Sequence, residues 1–395
     1  MSAPASRPGR RLLGLLLVHS ALTQVVTFVL RPTSAYRALE LDVPTAWLGA
    51  LTASFAVVPL VLAVPSGQAT DRFGERRVML VGAVLMALSG AVFATERWGA
   101  AGLVLGSVVL GTGHLLSVVG QQAAVPNTAG PGRFDTAFGY YTFAASLGQA
   151  AGPALITLIG GKGQLPDTRP IFLTATALGV VLLACTAFLR MPARGRAAGG
   201  AESGGMGTLL RLPGLLRALL ISCVVLAAVD ITLVYLPALG ADRGLAAGFV
   251  GLLLTLRAVA SMSSRLFLGR LVGLVGRRRL MIVSVALSAV SMAVVAVPLP
   301  PAAVAVVVVL LGLGLGVGQP LTMSWLAEVA PAGLRGRAMS LRLTGNRLGQ
   351  VLIPSTVGLV AAGVGAAGVL GATAAALAVV GVAARRLAVD GGSSA

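Results

Sequence analysis

Apolar stretches recur along the whole chain, separated by short connectors rich in Arg, Gly and Pro. Each is about 18–25 residues long, the length an α-helix needs to cross a ~30 Å hydrocarbon layer at ~1.5 Å per residue. The pattern predicts twelve spans, at 11–31, 44–66, 78–95, 99–124, 136–160, 170–189, 214–238, 245–268, 280–299, 302–326, 338–361 and 365–384. Ten-residue stretches of alternating polarity are absent, which argues against a membrane β-barrel. The reading is an all-α polytopic membrane protein with twelve transmembrane helices. A Gly- and Arg-rich stretch divides them, so the expected organisation is a six-helix bundle at 1–189, a linker at 190–213 and a second six-helix bundle at 214–395.

Composition sharpens this picture. Charged residues make up 11% of the 395 positions, under half of the ~25% usual for soluble domains. The formal charge is +18, but the basic residues sit in connectors rather than on one face, so nucleic acid is not an expected partner. The N-terminus, the even-numbered connectors and the C-terminus hold about twenty of the 30 basic residues, among them Arg72, Arg76, Arg77, Arg277, Arg278, Arg279, Arg335 and Arg337. Arg31, Arg37, Arg97, Lys162, Arg169 and Arg243 fall on the other side. The positive-inside rule then makes both termini cytoplasmic, in a multi-pass protein of the plasma membrane. The two cysteines, Cys185 and Cys223, lie in separate spans and suggest neither a disulfide framework nor a metal site. No secretory signal peptide is read at the N-terminus.

The chain also repeats itself. Gly67 to Arg77 (GQATDRFGERR) and Gly269 to Arg279 (GRLVGLVGRRR) stand 202 residues apart, as do Arg133 and Arg335. Leu147-Gly148-Gln149 with Pro153 matches Leu348-Gly349-Gln350 with Pro354 at an offset of 201. Three local matches at nearly one offset point to a duplicated six-helix unit and two pseudo-symmetric bundles.

Between spans 2 and 3, Gly67, Asp71, Arg72, Gly74, Arg76 and Arg77 follow the spacing glycine, three residues, Asp-Arg, any residue, glycine, then basic residues. Gly74 permits a tight reversal, Asp71 suits a helix N-terminus, and the arginines suit an anionic membrane face. In this motif the chain resembles the major facilitator superfamily, over nearly its whole length. The resemblance implies that these residues form a conformational latch between two halves. Gly273 stands where the second copy would carry the aspartate, so a one-sided latch is expected. On span 5, Gly139, Gly148, Gly152 and Pro153 resemble the antiporter motif of drug and metabolite exporters, although Ile156 and Thr157 replace its final glycines. Gly148 and Gly152 equally form a small-residue packing face. The arginine that proton-coupled exporters of the family carry on span 4 is here Ser107, ahead of Gly111 and Gly113.

Polar groups are costly in hydrocarbon, so their distribution marks the helices that face one another or a cavity. Spans 3, 6, 9 and 12 carry no charged, amide or imidazole group at mid-depth. Others carry His19, Gln24, His114, Gln121, Gln122, Gln149, Asp230, Arg257, Arg265, Gln319, Arg342, Asn346 and Gln350. Asp230 is the one carboxylate well inside a span. Three roles are open to it: proton coupling or contact with a cationic substrate, a structural pair with Arg257, or a residue reaching water at a span end. Arg342, Asn346 and Gln350 share a helix face by their i, i+4, i+8 spacing, to line a cavity or to bond neighbouring helices, and Gln149 is the repeat mate of Gln350. Gln24 joins them as a coupling or substrate candidate. His19 and His114 read as packing residues. Arg31 to Arg37 reads as an external gate or a plain surface loop.

No nucleophile motif, metal cluster or phosphate loop is read, so no enzyme activity and no cofactor are expected. The expectation is a monomeric secondary transporter in the lipid bilayer that exports a small amphipathic compound by alternating access, with protons as the coupling partner. Uptake of a small polar solute is the alternative, and a non-transporting membrane sensor or scaffold the third reading.

Overall fold

The computed structural model describes residues 7–43, 48–95, 98–129, 133–160, 166–191, 206–245, 247–331, 333–360 and 365–384. Its elements are all helices: α1 (Arg7–Glu40), α2 (Leu48–Phe73), α3 (Glu75–Ala94), α4 (Gly99–Thr128), α5 (Phe134–Ile159), α6 (Thr168–Phe188), the short α7 (Met206–Leu210), α8 (Leu215–Asp242), α9 (Ala247–Leu266), α10 (Leu268–Val275), α11 (Arg277–Ala296), α12 (Pro301–Val329), α13 (Arg335–Val360) and α14 (Gly365–Ala384). Nine described helices are long and apolar enough to cross a membrane. The helices α2, α5 and α13, 26 residues each, occupy the places of spans 2, 5 and 11. Most of the expected linker lies outside the described residues, as do Arg97 and Lys162.

Two spans differ from the sequence reading. Helix α1 runs for 34 residues, so Arg31 to Arg37 is helix rather than a loop. Pro32 sits inside it, where its missing N–H removes one backbone bond, while Thr33 and Ser34 return hydroxyl bonds to Val29 O (2.7 Å) and Arg31 O (2.8 Å). Span 8 divides at Phe267 into α9 and α10.

The chain forms two compact units. The first holds residues up to Pro131, Ala144–Gly204 and Pro331–Leu341; the second holds Gly132–Phe143, Gly205–Ala330 and Arg342–Ala395. In the first, α3 packs on α4 and α6, α2 on α4, and α1 on α6 and α4. In the second, α11 packs on α12 and α14, α9 on α12, and α8 on α14 and α12. The same packing scheme is thus drawn twice, one helix for one helix. The turns agree too. Gly74 has φ 88° and ψ 153°, and Gly276, 202 residues later, has φ 84° and ψ 147°. An L side chain is strained at such a φ, so both reversals depend on glycine.

Apolar side chains cover the surface of both units. Leu158 is 79% exposed, Phe188 73%, Val61 70% and Val379 70%. In water such a surface would aggregate; in lipid tails it costs nothing. The polar side chains turn inward instead, and His19, Thr23, Gln121, Ser222, Gln319, Arg342 and Asn346 are all buried.

Close approach of α5 to α1 depends on two glycines of the antiporter-like motif. A Cβ at Gly148 would overlap Ala21 O, and one at Gly152 would stand 2.7 Å from Phe28 Cβ. Gly14 on α1, by contrast, has open space around it. Gly148→Leu is therefore expected to destabilise the folded protein by about 1–3 kcal/mol through overpacking, and Gly14→Leu by under about 0.5 kcal/mol. Thermal melts of the two purified variants in one detergent check this. Equal melting temperatures would remove the packing role.

Candidate functional site

The sequence motif between α2 and α3 builds a charge-and-backbone clamp inside the first unit. Asp71, in the last turn of α2, has only 4% of its side chain exposed. Its Oδ1 accepts from the backbone N–H of Gly336 at 2.8 Å, and its Oδ2 from that of Arg337 at 3.1 Å. These are among the first N–H groups of α13, which have no carbonyl partner within their own helix. A carboxylate there meets both the unpaired donors and the positive end of the helix dipole. Arg337 Nε adds an ion pair at 3.6 Å to Oδ2. Gly67 and Gly336 make the approach possible, since a Cβ on either would stand 2.7 Å from the other's carbonyl oxygen. Beside them, Arg335 donates to Asn127 Oδ1 (3.2 Å), and Asn127 Nδ2 donates to the buried Glu75 (3.1 Å). Arg76 caps Ala187 O at the end of α6 (2.8 Å), and Arg72 lies 5.2 Å from the Phe73 ring centroid.

The second unit carries an ion pair of its own beside its turn. Gly273 has lost the carboxylate, but Arg277 holds Asp135 in the first turn of α5: Nη2 donates to Oδ2 at 2.8 Å and Nε to Oδ1 at 3.1 Å. Ser324 Oγ also donates to Asp135 Oδ1, and Arg277 Nη1 pairs with Glu328 at the end of α12. Asp135, Arg277 and Glu328 were not singled out from sequence as a group. One signal was available: Asp135 stands 202 residues before Arg337, and Arg277 stands 202 after Glu75. The repeat thus sets charges of opposite sign at both pairs of matching positions. Gly139 belongs to this contact, because a Cβ there would crowd Arg265 O and Leu268.

Deeper in the second unit, a polar network joins α8, α12 and α13. Arg342 Nη1 donates to Gln319 Oε1 (2.7 Å) and Ser222 Oγ (3.1 Å); Ser222 Oγ donates to Asn346 Oδ1 (2.8 Å); Gln319 Nε2 donates to Ser222 O (2.7 Å). Arg342 and Asn346 thus bond neighbouring helices. One turn on, Arg347 Nη1 donates to Gln350 Oε1 (3.0 Å) and Gln350 Nε2 to Asp230 Oδ2 (2.6 Å). The chain Arg347–Gln350–Asp230 links α13 to α8. Arg257 is 6% exposed, feels the Asp230 charge, and its Nε meets no acceptor among the described residues.

In the first unit, Gln149 is exposed on α5 and donates to the buried Gln24 at 3.4 Å. His19 is fully buried between Thr186 Oγ1 and Gln121 Nε2, 2.8 Å from each. His114 Nδ1 lies 2.9 Å from Thr27 Oγ1. Among the described residues no cluster of three or more His, Cys, Asp or Glu side chains offers a metal site.

Arg277→Gln would leave the nearly buried Asp135 without its cation. An unpaired buried charge costs about 3–5 kcal/mol, and the low end applies because Arg277 keeps 14% exposure. The double variant Asp135→Asn/Arg277→Gln is expected to regain more than half of that loss. Chemical unfolding of the four-member mutant cycle checks it; strictly additive losses would show that the pair is not coupled.

Comparison with known proteins agrees with this architecture. The family model of the Major Facilitator Superfamily matches residues 16–246 and 218–391. No curated protein sequence matches. Among solved structures, the human organic anion transporter TETRAN superposes with a TM-score of 0.77 at 17% identity, over 96% of this chain and 100% of that one. The Escherichia coli fucose:proton symporter superposes at 0.80 and 15% identity, over 94% and 97%. A bacterial homologue of the iron transporter ferroportin, in its outward-facing state, gives 0.79 at 15%, over 94% and 98%. At such identities the likeness is one of fold. The two family matches run over nearly the whole chain, and this multi-pass membrane protein belongs to the Major Facilitator Superfamily of transporters.

Proposed function

We propose that this chain is a proton-coupled secondary transporter of the plasma membrane that exports a small amphipathic compound by alternating access. Both termini lie in the cytoplasm in this reading, and the moving bodies are the six-helix halves at 1–189 and 214–395. The observation that carries it is the Asp71 clamp on the backbone of Gly336 and Arg337. A carboxylate that holds a helix N-terminus through two N–H bonds is strong enough to keep a closed state. It is also weak enough to release, since it involves no covalent or fully desolvated pair. The Arg277–Asp135 contact acts as its partner at the cytoplasmic side.

Coupling is assigned to Asp230. When ionised, it accepts from Gln350 and attracts Arg257. On protonation both attractions weaken, which loosens α8 from α13 and α9. Gln24 and Gln149 on the other half, with Arg342 and Asn346, are the remaining substrate or coupling candidates. The close-packed glycines of α5 support the export direction through the antiporter-like motif they form. Uptake of a polar solute would use the same residues with the opposite flux.

Two outcomes are expected in proteoliposomes with an imposed pH gradient and a panel of labelled compounds. Asp71→Asn keeps its acceptor oxygen but loses the charge, a change of about 0.3–1 kcal/mol in the closed state. Transport per folded molecule should fall several-fold while the yield of folded protein changes little. Unchanged turnover would sink the latch assignment. Asp230→Asn should abolish accumulation against a gradient while leaving substrate exchange measurable. If the variant still concentrates substrate at the normal rate, the driving proton is carried elsewhere.

A further inference from the structure

The first unit contains a cavity that the latch and the coupling chain do not use. It lies between α1, α2 and α4, has a volume of about 290 Å³, and is lined by Phe28, Arg31, Pro32, Ser34, Phe55 and Ser107, with Ala35 beside them. Arg31 is oriented there by its neighbour: its guanidinium carbon lies 4.4 Å from the Phe55 ring centroid, a cation–π contact that holds the planar group flat against an aromatic wall. Phe55 is steadied in turn by His114, whose ring centroid is 5.7 Å away at a 53° tilt. Opposite stands the buried Ser107, at the position where proton-coupled exporters of the family carry an arginine. A cation therefore does reach this cavity, but from α1 rather than from α4.

We propose that the cavity is the binding site of a small aromatic organic anion, with its carboxylate on Arg31 and its ring between Phe28 and Phe55. Three features select that class. Among the described residues the one charged group lining the cavity is a guanidinium, which matches a carboxylate through two parallel N–H bonds. The aromatic and proline walls offer apolar surface to the rest of the molecule. The volume limits the ligand to about ten heavy atoms, at the ~30 Å³ each takes up in a liquid such as water. The inference deepens the transport reading above by naming a substrate class.

Phenylacetate has ten heavy atoms and is ionised at neutral pH; phenylacetamide has the same shape without the charge. Equilibrium binding of both is measured on the full chain in phosphatidylcholine nanodiscs, with no gradient. The acid is expected to bind at least about tenfold tighter than the amide, the scale of one charge-assisted bond. Arg31→Gln should erase that preference, and Arg31→Gln/Ser107→Arg should restore it by returning a guanidinium from α4. Ser107→Phe, which fills the cavity without altering Arg31, should abolish binding of both and serves if Arg31→Gln does not fold. Equal affinity for acid and amide, a preference that survives Arg31→Gln, or undiminished binding in Ser107→Phe would each overturn the proposal. Loss of phenylacetate binding when phosphatidylglycerol is added to the discs would also overturn it, assigning the cavity to a lipid headgroup. Absent binding alongside proton-driven transport of another compound counts against this site alone. Intact binding without any transport counts against the transport reading and leaves the site standing.

Discussion

A backbone amide or polar side chain left unpaired in hydrocarbon costs several kcal/mol, and the features described here all answer to that constraint. Helices satisfy the backbone within each segment. The side chains then divide, with Leu, Val and Phe turned to the lipid and Gln, Ser, Thr, His and Arg turned inward. Once inside, a polar group needs a partner on a neighbouring helix, and the partners define the packing. His19 joins α1 to α4 and α6 through Gln121 and Thr186. Ser222, Gln319, Arg342 and Asn346 join α8, α12 and α13. Polar bonds of this kind contribute about 0.6 kcal/mol each between membrane helices, so they set register more than total stability. Glycine faces such as Gly148 against Ala21 bring the backbones close enough for those bonds to form.

The same constraint explains why charge gathers at helix ends. Asp71 is nearly buried, yet it meets two N–H donors and a guanidinium, so its charge is answered by groups that themselves need an acceptor. Asp135 is answered by Arg277 and Ser324. Both arrangements sit beside the reversals at Gly74 and Gly276, but they are built from different positions: Asp71 has its repeat mate in Gly273, and Arg277 has its own in Glu75.

This difference marks what was legible in the sequence. Apolar length gave the nine described helices that are long enough to cross a membrane, and the offset of 202 gave the paired turns, since a glycine at φ near +85° is a local requirement written into one position. The inward placement of polar residues was legible for the same reason: each span's composition states its own solvation. Long-range pairing was not. Nothing in the spacing of Asp135 says that Arg277 lies beside it. The continuation of α1 past Pro32 was also hidden, because proline ordinarily argues for a helix end. Threonine and serine hydroxyls keep that turn bonded instead.

The buried arginines show how far a shared residue type can diverge in role. Arg342 gives its guanidinium to Gln319 and Ser222, and removing it would take the shortest donor from Gln319 Oε1, leaving it the longer contact from Asn346 at 3.4 Å. Arg265 reaches a backbone carbonyl, that of Gly316, at 3.4 Å. Arg257, also buried, shares with Arg342 an Nε that meets no acceptor among the described residues, and it differs in feeling the charge of the Asp230 carboxylate that Gln350 holds. A buried guanidinium nitrogen without an acceptor is costly to keep, and both arginines carry that cost. Asp230 accepts from Gln350 on α13 and attracts Arg257 on α9, so its charge ties α8 to two other helices. Neutralising that carboxylate would weaken both attractions at once, which is the physical ground for proposing Asp230, rather than Arg265 or Arg342, as the coupling residue.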